Sequence, residues 1–329
     1  LPIFESWMDS TTLASVEPVI IPSVVNWQDA QATPTIIYNT MLYPFIGFSI
    51  KGIIWSQGEA NRSNYQSYQT KFTKLINSWR TQWNQGEFPF YFAQVAPNGG
   101  TTNVNAAGLR EAQLNTMLTV NSTGMATTMD IGVQGLDHYP KKKVVGDRLA
   151  LWALIKNYGI SGTPSGPVVK SMTIKNDTIN LKFNYTDLGL TSFGLGLSDF
   201  EIAGANKVFY PATVTAADFN YSLNIRSSSV SNPMYVNYAF KNYVEGSLFN
   251  RAGLPASSFR TENIFTVLPV TFGNINVTNK NGSRIITWNI LVEINIDGYE
   301  IESSIDGINF KPITKITATG SNTNYRFED

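Results

Sequence analysis

The segment at residues 48–61 constrains this chain more than any other part of its sequence. Residues 48–55 read as an apolar strand, and the chain then changes abruptly into the polar turn Gln57-Gly58-Glu59. A strand that is apolar along its whole length is buried on both faces, which is typical of a parallel sheet covered by helices. Such sheets bind ligands at the carboxyl ends of their strands, and Gly58 permits a tight turn there. We therefore expect Gln57 and Glu59 to project at the rim of a parallel sheet.

Three strand–helix units are predicted around this turn. A helix is predicted over residues 65–83, because its apolar side chains recur at steps of three and four and so fall on one face. The other predicted elements are a short helix at 38–45, strands at 90–96 and 125–131, and helices at 106–118 and 143–158. Alternation of strands and helices at this spacing indicates an α/β unit with a parallel sheet.

A change of pattern near Gly159 ends the α/β region. Residues 163–167, Thr-Pro-Ser-Gly-Pro, have the composition of a linker. Short alternating runs follow and predict a β-sandwich, and a second set of runs beyond residue 263 includes the hairpin turn Asp306-Gly307. We expect this last set to form a second, incomplete sandwich. The predicted units are 1–162, 163–263 and 264–329.

The composition excludes several classes of function. Lys and Arg together number 24, as do Asp and Glu, so the net charge is zero and a basic face for nucleic acid is not expected. The chain has no cysteine, so neither disulfides nor thiolate metal sites are expected. No apolar run reaches about 18 residues, so no membrane span is predicted. One histidine and scattered carboxylates give no ligand spacing for a metal, and no cofactor is expected.

His138 is the single histidine, and it falls in the loop after the third predicted strand. That loop shares the carboxyl rim of the sheet with Gln57-Gly58-Glu59. Histidine titrates near neutral pH, so His138 is the candidate general base, although a lone loop histidine can also be a solvated surface residue. Asp137 and Asp130 are the nearby carboxylates, and either could orient the imidazole as the third member of a triad does.

A nucleophile is harder to find in the sequence. Ser56 precedes Gln57-Gly58, but a nucleophile elbow requires Gly-x-Ser-x-Gly and the first position is Ile54. We therefore interpret Ser56 as the end of the strand. The residues alone offer a base without a partner nucleophile.

Several ordered motifs resemble those of one enzyme family. Residues 51–61, Lys-Gly-Ile-Ile-Trp-Ser-Gln-Gly-Glu-Ala-Asn, resemble the Trp-Tyr-Gln-Gly-Glu-Ser-Asn block of the sialate O-acetylesterases, members of the SGNH hydrolase superfamily. Further segments are similar to the same family in the same order: 38–44, 125–131, 138–142, 146–153, 200–204 and 253–260. The resemblance covers about residues 1–262.

The resemblance implies a fold and a set of roles. The fold would be α/β, with a three-layer parallel sheet of SGNH hydrolase type that is incomplete at the N-terminus, followed by two all-β sandwich domains. The chemistry would use a Ser nucleophile, a His base and an oxyanion hole, and would pass through an acetyl-serine intermediate. His138 falls on the base, and Gln57 falls on the position that helps to bind the oxyanion. The rest of the oxyanion and substrate-binding motif is Gly58, Glu59 and Asn61.

The chain also departs from the family pattern. The family usually has an Asp two or three residues before its His, and those positions hold Leu136 and Gly135. The choice between Asp137 and Asp130 therefore stays open. Residues 2–8 resemble the segment after the family's Gly-Gly-Thr motif, and the block with the nucleophile belongs upstream of it. We expect the nucleophile in a segment missing from this chain, which could be a separate companion chain.

Residues 266–329 resemble the fibronectin-type-III-like modules of exported bacterial enzymes. This likeness implies a secreted, periplasmic or cell-surface bacterial protein. Together the resemblances imply a carbohydrate O-acetylesterase similar to the sialate 9-O-acetylesterases, acting on O-acetylated sialic acid or another acetylated glycan. The alternative is a non-catalytic carbohydrate-binding or adhesion protein that has kept an esterase-like fold. A peptidase or lipase is a third alternative, but no large apolar groove is indicated.

Overall fold

The structure is a computed structural model. It describes residues 3–18, 30–99, 104–266, 270–280, 282–293, 298–307, 309–319 and 323–328.

A three-stranded parallel sheet lies in the first half of the chain. Its strands are β1 (Ile53–Trp55), β2 (Phe90–Ala93) and β3 (Thr123–Ala126), in that spatial order. β1 pairs in parallel with β2, with Ile53 opposite Phe90, and β2 pairs in parallel with β3. The prediction of an α/β unit with a parallel sheet is confirmed.

Helices cover both faces of this sheet. α2 (Tyr65–Trp83) has the bounds that the sequence predicted, and α3 is Asn105–Thr119 and α4 is Lys142–Lys156. Successive side chains of a strand point to opposite faces. Accordingly Phe90 and Phe92 share a core with α2 and α3, whereas Tyr91 and Ala93 share a second core with α4.

β1 differs from its prediction. The predicted strand at 48–55 is reduced to three residues, and its burial on both faces is wrong for Ile54, which is 73% exposed. The physical reason is position: β1 is the edge strand of the described sheet, and only the face with Trp55 is covered by α2. The predicted strands at 90–96 and 125–131 also end early, because the chain leaves the sheet after Ala93 and Ala126.

Short helical turns precede the sheet. They are a 3-10 helix at Phe4–Trp7, α1 at Ser10–Ala14 and a 3-10 turn at Ala30–Ala32. The predicted helix at 38–45 is a π-helix, Tyr38–Leu42, continued by a 3-10 turn, Tyr43–Phe45. The ring of Phe4 packs edge-on against Tyr68 of α2, with centroids 5.0 Å apart, so the first turn is part of the core.

Two four-stranded antiparallel sheets follow the α/β unit. In spatial order, the first contains β4 (Val168–Lys175), β5 (Thr178–Asn184), β10 (Ser222–Arg226) and β9 (Thr213–Ala217). The second contains β13 (Phe259–Arg260), β11 (Tyr235–Tyr238), β7 (Phe200–Ala203) and β8 (Tyr210–Pro211). The pair β6 (Leu190–Thr191) and β12 (Phe249–Asn250), a 3-10 turn (Asp218–Asn220) and α5 (Thr261–Thr266) complete this region. Inward residues such as Leu181 and Val236 belong to one shared core, as expected for packed sheets.

The last strands form two smaller sheets. One contains β14 (Val270–Lys280), β15 (Ser283–Glu293) and β18 (Asn324–Glu328), and the other contains β16 (Gly298–Ser303) and β17 (Lys311–Thr317). Trp288, Tyr299 and Tyr325 lie in their common core. Asp306-Gly307 lies between β16 and β17, where a hairpin turn was predicted. Residues 268 and 269, which fall in the second set of runs predicted beyond residue 263, lie outside the described residues. The unit boundaries at 162/163 and 263/264 and the fibronectin-like assignment stay predictions.

Candidate active site

The Gln57-Gly58-Glu59 turn follows β1 directly and leads into a 3-10 helix at Glu59–Asn64. Gly58 is packed so closely that a Cβ atom there would lie 2.5 Å from Cγ1 of Val95 and 3.3 Å from Cδ2 of Leu109. A side chain at this position would therefore displace the loop after β2 or helix α3. The glycine lets the turn lie against both.

Gln57 is held inside this turn rather than projecting from it. Its side chain is 9% exposed, its Nε2 donates to Oδ1 of Asn61 at 2.7 Å, and its Oε1 accepts from the Tyr68 hydroxyl at 3.0 Å. The Tyr68 hydroxyl also lies 3.0 Å from the Gln57 carbonyl oxygen, and burial raises the pKa of Tyr68. The amide of Gln57 is thus fixed against α2 and the 3-10 helix, and its predicted oxyanion role stays a prediction.

Asn61 connects the turn to the start of the described chain. Its Oδ1 accepts from the backbone N–H of Phe4 at 2.9 Å, and its Nδ2 donates to Oε2 of Glu5 at 3.0 Å. Glu5 also forms an ion pair with Lys71 of α2, which in turn contacts Glu17 at 2.8 Å. Burial alone raises the pKa of Glu5, but the hydrogen bonds from Lys71 and Asn61 outweigh it and hold that pKa below its ordinary value.

The loop that carries His138 is tied down through Asp137. Oδ1 of Asp137 accepts from Nη2 of Arg62 and from Nδ2 of Asn98, each at 2.5 Å. Asn98 is 5% exposed, and its Oδ1 accepts from the backbone N–H of Gly135 at 3.0 Å. Asp137 therefore binds the 3-10 helix after β1 and the loop after β2.

Asp130, the other predicted orienting carboxylate, binds α4. Its two oxygens accept from Nη1 and Nη2 of Arg148 at 2.7 and 2.6 Å, and Nη1 of Arg148 also donates to the carbonyl oxygen of Thr127 at 2.6 Å. This bidentate ion pair fixes the beginning of the loop after β3 to α4, the helix that follows the loop.

His138 is exposed, and within the described part of the chain its imidazole makes neither a hydrogen bond nor an ion pair. Tyr139, the next residue, is buried, with Nζ of Lys142 3.9 Å from its ring centroid. Burial raises the pKa of Tyr139 to about 12, and the charge of Glu59 contributes to the rise. The carboxylate of Glu59 therefore acts electrostatically on the residue beside His138.

A cleft of about 400 Å³ opens at the carboxyl ends of β1 and β2. It is lined by residues that follow these strands, begin α3 or come from the β-sheet region: Glu59, Ala60, Arg62, Ser63, Asn98, Gly99, Asn105, Ala106 and Asn242. The carboxylate of Glu59 has no hydrogen-bond or ion-pair partner in the described ranges. Of the predicted site residues, Glu59 lines the cleft, Asp137 binds two of its walls, and Gln57 and Asn61 lie beneath it.

Asn242 is a cleft residue that sequence reasoning missed. It comes from the antiparallel region, its Oδ1 accepts from the first-turn N–H of Ala106 at 2.9 Å, and its carbonyl oxygen accepts from the N–H of Asn98 at 3.0 Å. The same carbonyl accepts from Nη1 of the fully buried Arg110 at 3.2 Å, and burial lowers the pKa of Arg110 to about 9. Arg62 and Asn98 were also missed, although each follows a predicted strand and could have been flagged by position.

Some site types find no support in the described ranges. No group of three or more His, Cys, Asp or Glu side chains is arranged to hold a metal ion. No helix there is both long and apolar enough to cross a membrane. Ser56 is exposed at the end of β1 and makes no hydrogen bond with His138.

Comparisons with known proteins point to one family. The family model described as "Carbohydrate esterase, sialic acid-specific acetylesterase" matches residues 24–151. The sialate O-acetylesterase of Rattus norvegicus is 29% identical over 177 residues, which are 46% of this chain and 32% of the rat protein. The human sialate O-acetylesterase is 31% identical over 70 residues, covering 19% of this chain and 13% of that protein.

A solved structure is similar over a larger part of the chain. It is a carbohydrate acetylesterase from Xanthomonas citri, with a TM-score of 0.70 and 32% sequence identity over 79% of this chain and 58% of that one. The chain thus spans about a third of the length of the rat relative and somewhat more than half of the bacterial one.

Proposed function

We propose that this chain supplies the base and the substrate cleft of a carbohydrate O-acetylesterase, and the match of residues 24–151 to the family model of sialic acid-specific acetylesterases supports the proposal. The observation that carries the proposal is the cleft at the carboxyl ends of β1 and β2, with the His138 loop fastened to its walls through Asp137. Open α/β sheets place their ligands at this edge.

The proposed reaction has two halves. A serine hydroxyl attacks the acetyl carbonyl carbon, its proton passes to His138, and the protonated imidazole returns a proton to the sugar oxygen as the ester C–O bond breaks. Water then attacks the acetyl-serine with His138 again as base, and acetate leaves. In this proposal the Gln57-Gly58 turn helps to bind the oxyanion, and the hydrogen bonds that hold Gln57 and Asn61 beneath the cleft support a preorganised turn.

The bonding pattern favours Glu59 as the carboxylate that stabilises the imidazolium. Asp130 is paired with Arg148 and Asp137 with Arg62, so each is already committed to a cation. Glu59 lines the cleft without such a partner in the described ranges, and its charge reaches Tyr139 beside His138. We therefore assign the role to Glu59 in place of the two aspartates that the sequence suggested.

The nucleophile is proposed to come from a polypeptide segment outside this chain. Among the described residues no serine hydrogen-bonds to His138. The edge of β1 offers a place for such a segment, because Phe48 and Ile54 are 65% and 73% exposed beside it. Exposed Met41, Tyr43 and Phe45 extend this apolar surface, which fits a further strand and its covering elements.

The proposed location is extracytoplasmic and bacterial: secreted, periplasmic or at the cell surface. The likeness of residues 266–329 to fibronectin-type-III-like modules supports it, and the similar solved structure is from a bacterium.

The test is labelling of the full-length protein with a serine-directed fluorophosphonate, followed by mass mapping of the labelled peptide. We expect one labelled serine outside the present chain, and we expect acetate release from O-acetylated sugars. A label on Ser56 would overturn the placement of the nucleophile. Absence of both label and acetate release would favour the non-catalytic carbohydrate-binding alternative.

A further inference from the structure

Two buried arginines of the α/β unit bind backbone carbonyl oxygens. Arg110 of α3 is 0% exposed and Arg80 of α2 is 7% exposed. Neither forms an ion pair with a carboxylate among the described residues. Burial of an unpaired charge is costly, so an apolar side chain of similar volume would serve packing at least as well at either position. What each guanidinium holds in place is therefore informative.

Arg80 lies at the amino ends of the strands. Its Nη2 donates to the carbonyl oxygens of Phe88 and Asn121 at 2.9 Å each, and its Nε donates to the carbonyl oxygen of Phe88 at 3.2 Å. Phe88 precedes β2 and Asn121 precedes β3. Arg80 thus joins the segments that enter the sheet, at the edge opposite to the cleft.

Arg110 lies at the other edge and binds the antiparallel region. Its Nε donates to Oγ of Ser258 at 3.1 Å, its Nη1 donates to the carbonyl oxygen of Asn242 at 3.2 Å, and its Nη2 donates to the carbonyl oxygen of Lys241. Because the side chain is fully buried, these bonds are formed within this chain. A polypeptide segment outside the chain would not contact this guanidinium.

The segment at residues 241–246, which this arginine holds, contacts the loops after two strands of the parallel sheet. The carbonyl oxygen of Asn242 also accepts from the N–H of Asn98 at 3.0 Å, in the loop after β2. The N–H of Gly246 donates to the carbonyl oxygen of Met129 at 3.1 Å, in the loop after β3 that leads to the proposed base. Asn242 itself lines the cleft. A group that fixes this segment therefore acts on one cleft wall and on both loops.

We infer that Arg110 is a positioning residue for the proposed deacetylation, acting through residues 241–246 on the cleft wall and on the loops that hold His138. The inference rests on the proposed function and gives the antiparallel region a part in it. The guanidinium suits this role, because its rigid fork donates to three acceptors at once, whereas the ammonium group of lysine is a point charge on a flexible stem.

A matched pair of variants in the full-length protein tests the inference. Arg110→Lys and Arg80→Lys both keep a charge and lose the fork, so both should lower the thermal unfolding temperature. Only Arg110→Lys should also lower kcat/KM for a 9-O-acetylated sialoside, measured well below the unfolding temperature of either variant. We expect a loss of about 10–100-fold, the effect of small misplacements around a reacting centre.

Ser258→Ala is a milder second variant for the case in which Arg110→Lys does not fold. It removes one acceptor of Arg110 and should lower kcat/KM by about two- to tenfold, as expected for one hydrogen bond.

The outcomes separate this inference from the proposed function. Equal kcat/KM in Arg110→Lys and Arg80→Lys would overturn the inference alone, as would unchanged kcat/KM in Ser258→Ala if Arg110→Lys does not fold. If the unmodified full-length protein neither releases acetate nor takes the fluorophosphonate label, the proposed function is overturned and this inference with it.

Discussion

The side-chain amide of Asn98 donates a hydrogen bond of 2.5 Å to the carboxylate of Asp137 and so joins the loop after β2 to the loop that carries His138. The Oδ1 atom of the same side chain accepts from the N–H of Gly135, so both the nitrogen and the oxygen of the Asn98 amide bind the His138 loop. Asn98 is therefore proposed to position His138 without touching the substrate's acetyl group.

Asn98→Ala should loosen the His138 loop. It removes the hydrogen bonds that the Asn98 side chain makes with the Asp137 carboxylate and with the N–H of Gly135, so we expect the free energy of unfolding to fall by about 1–3 kcal/mol. In the full-length enzyme kcat should fall more than KM rises, because a misplaced base affects the chemical step. Denaturant unfolding and steady-state acetate release measure the two effects. The control is Asn232→Ala, because the amide of Asn232 lies on the surface and contacts Ser231 at 3.5 Å. This variant should change neither stability nor kcat. An unchanged kcat in Asn98→Ala would contradict the positioning role.

His138→Ala in the full-length protein should lower kcat by about 10²–10⁴-fold, the usual contribution of a general base. Because His138 is exposed and makes no hydrogen bond in the described ranges, its removal should leave the thermal unfolding temperature nearly unchanged. Lys141→Ala is the matched control, since it is a nearby exposed side chain of the same loop. Near-normal turnover by His138→Ala would refute the assignment of the base.

Glu59→Gln and Asp130→Asn should separate the catalytic carboxylate from the structural one. We expect Glu59→Gln to lower kcat at least tenfold with little loss of stability, because its carboxylate has no partner in the described ranges. Asp130→Asn breaks the two-pronged pair with Arg148 and should lower the free energy of unfolding by about 1–3 kcal/mol while changing kcat little. The opposite pattern would return the orienting role to Asp130.

The bounds of α2 were predictable from the sequence because the periodicity of apolar side chains runs along the whole helix. Its apolar stripe from Tyr68 to Trp83 packs on the sheet, and Tyr65–Trp83 has the bounds that this periodicity predicts. The length and the burial of β1 were overestimated, because the composition of residues 48–55 carries no information about which face of the strand a helix covers. Burial on both faces depends on neighbours in space, and Ile54 is left 73% exposed.

The pairing of the site carboxylates was not predictable for a similar reason. Asp137 binds Arg62, which is 75 residues away in sequence, and Asp130 binds Arg148 one helix later. Proximity to His138 in the chain suggested both aspartates as orienting groups, whereas the folded chain brings an arginine to each. Asn242 reaches the cleft from another sheet, so its role depends on a contact between regions that local pattern does not encode.

Gly58→Ala should destabilise the protein through overpacking. The new Cβ would lie 2.5 Å from Cγ1 of Val95, and relief of such contacts typically costs about 1–3 kcal/mol. Gly146→Ala in α4 is the control, because open space surrounds that position and alanine is favoured in a helix by about 1 kcal/mol. The double variant Gly58→Ala/Val95→Ala should recover part of the loss in a double-mutant cycle. Additive destabilisation would contradict the assigned contact.

The buried ion pair of Glu5 and Lys71 should make the free energy of unfolding fall as the pH becomes acidic. The pKa of Glu5 is lower in the folded chain than its ordinary value of 4.5, so its contribution is fully present above about pH 4.5 and is lost as the pH falls through the folded value. The pKa of Lys71 is raised above its ordinary value of 10.5, since the hydrogen bonds that Lys71 donates to Glu17 and Glu5 outweigh burial, so its contribution persists through neutral pH. Denaturant unfolding between pH 3 and 7 should therefore show an acid decline that Glu5→Gln flattens and that Glu87→Gln, at an exposed position, leaves in place. If the free energy of unfolding of Glu5→Gln falls as steeply with acid as that of the unmodified protein, other carboxylates cause the decline. The hydrogen bonds from Asn61 and Lys71 to Glu5 would then not stabilise the turn beneath the cleft.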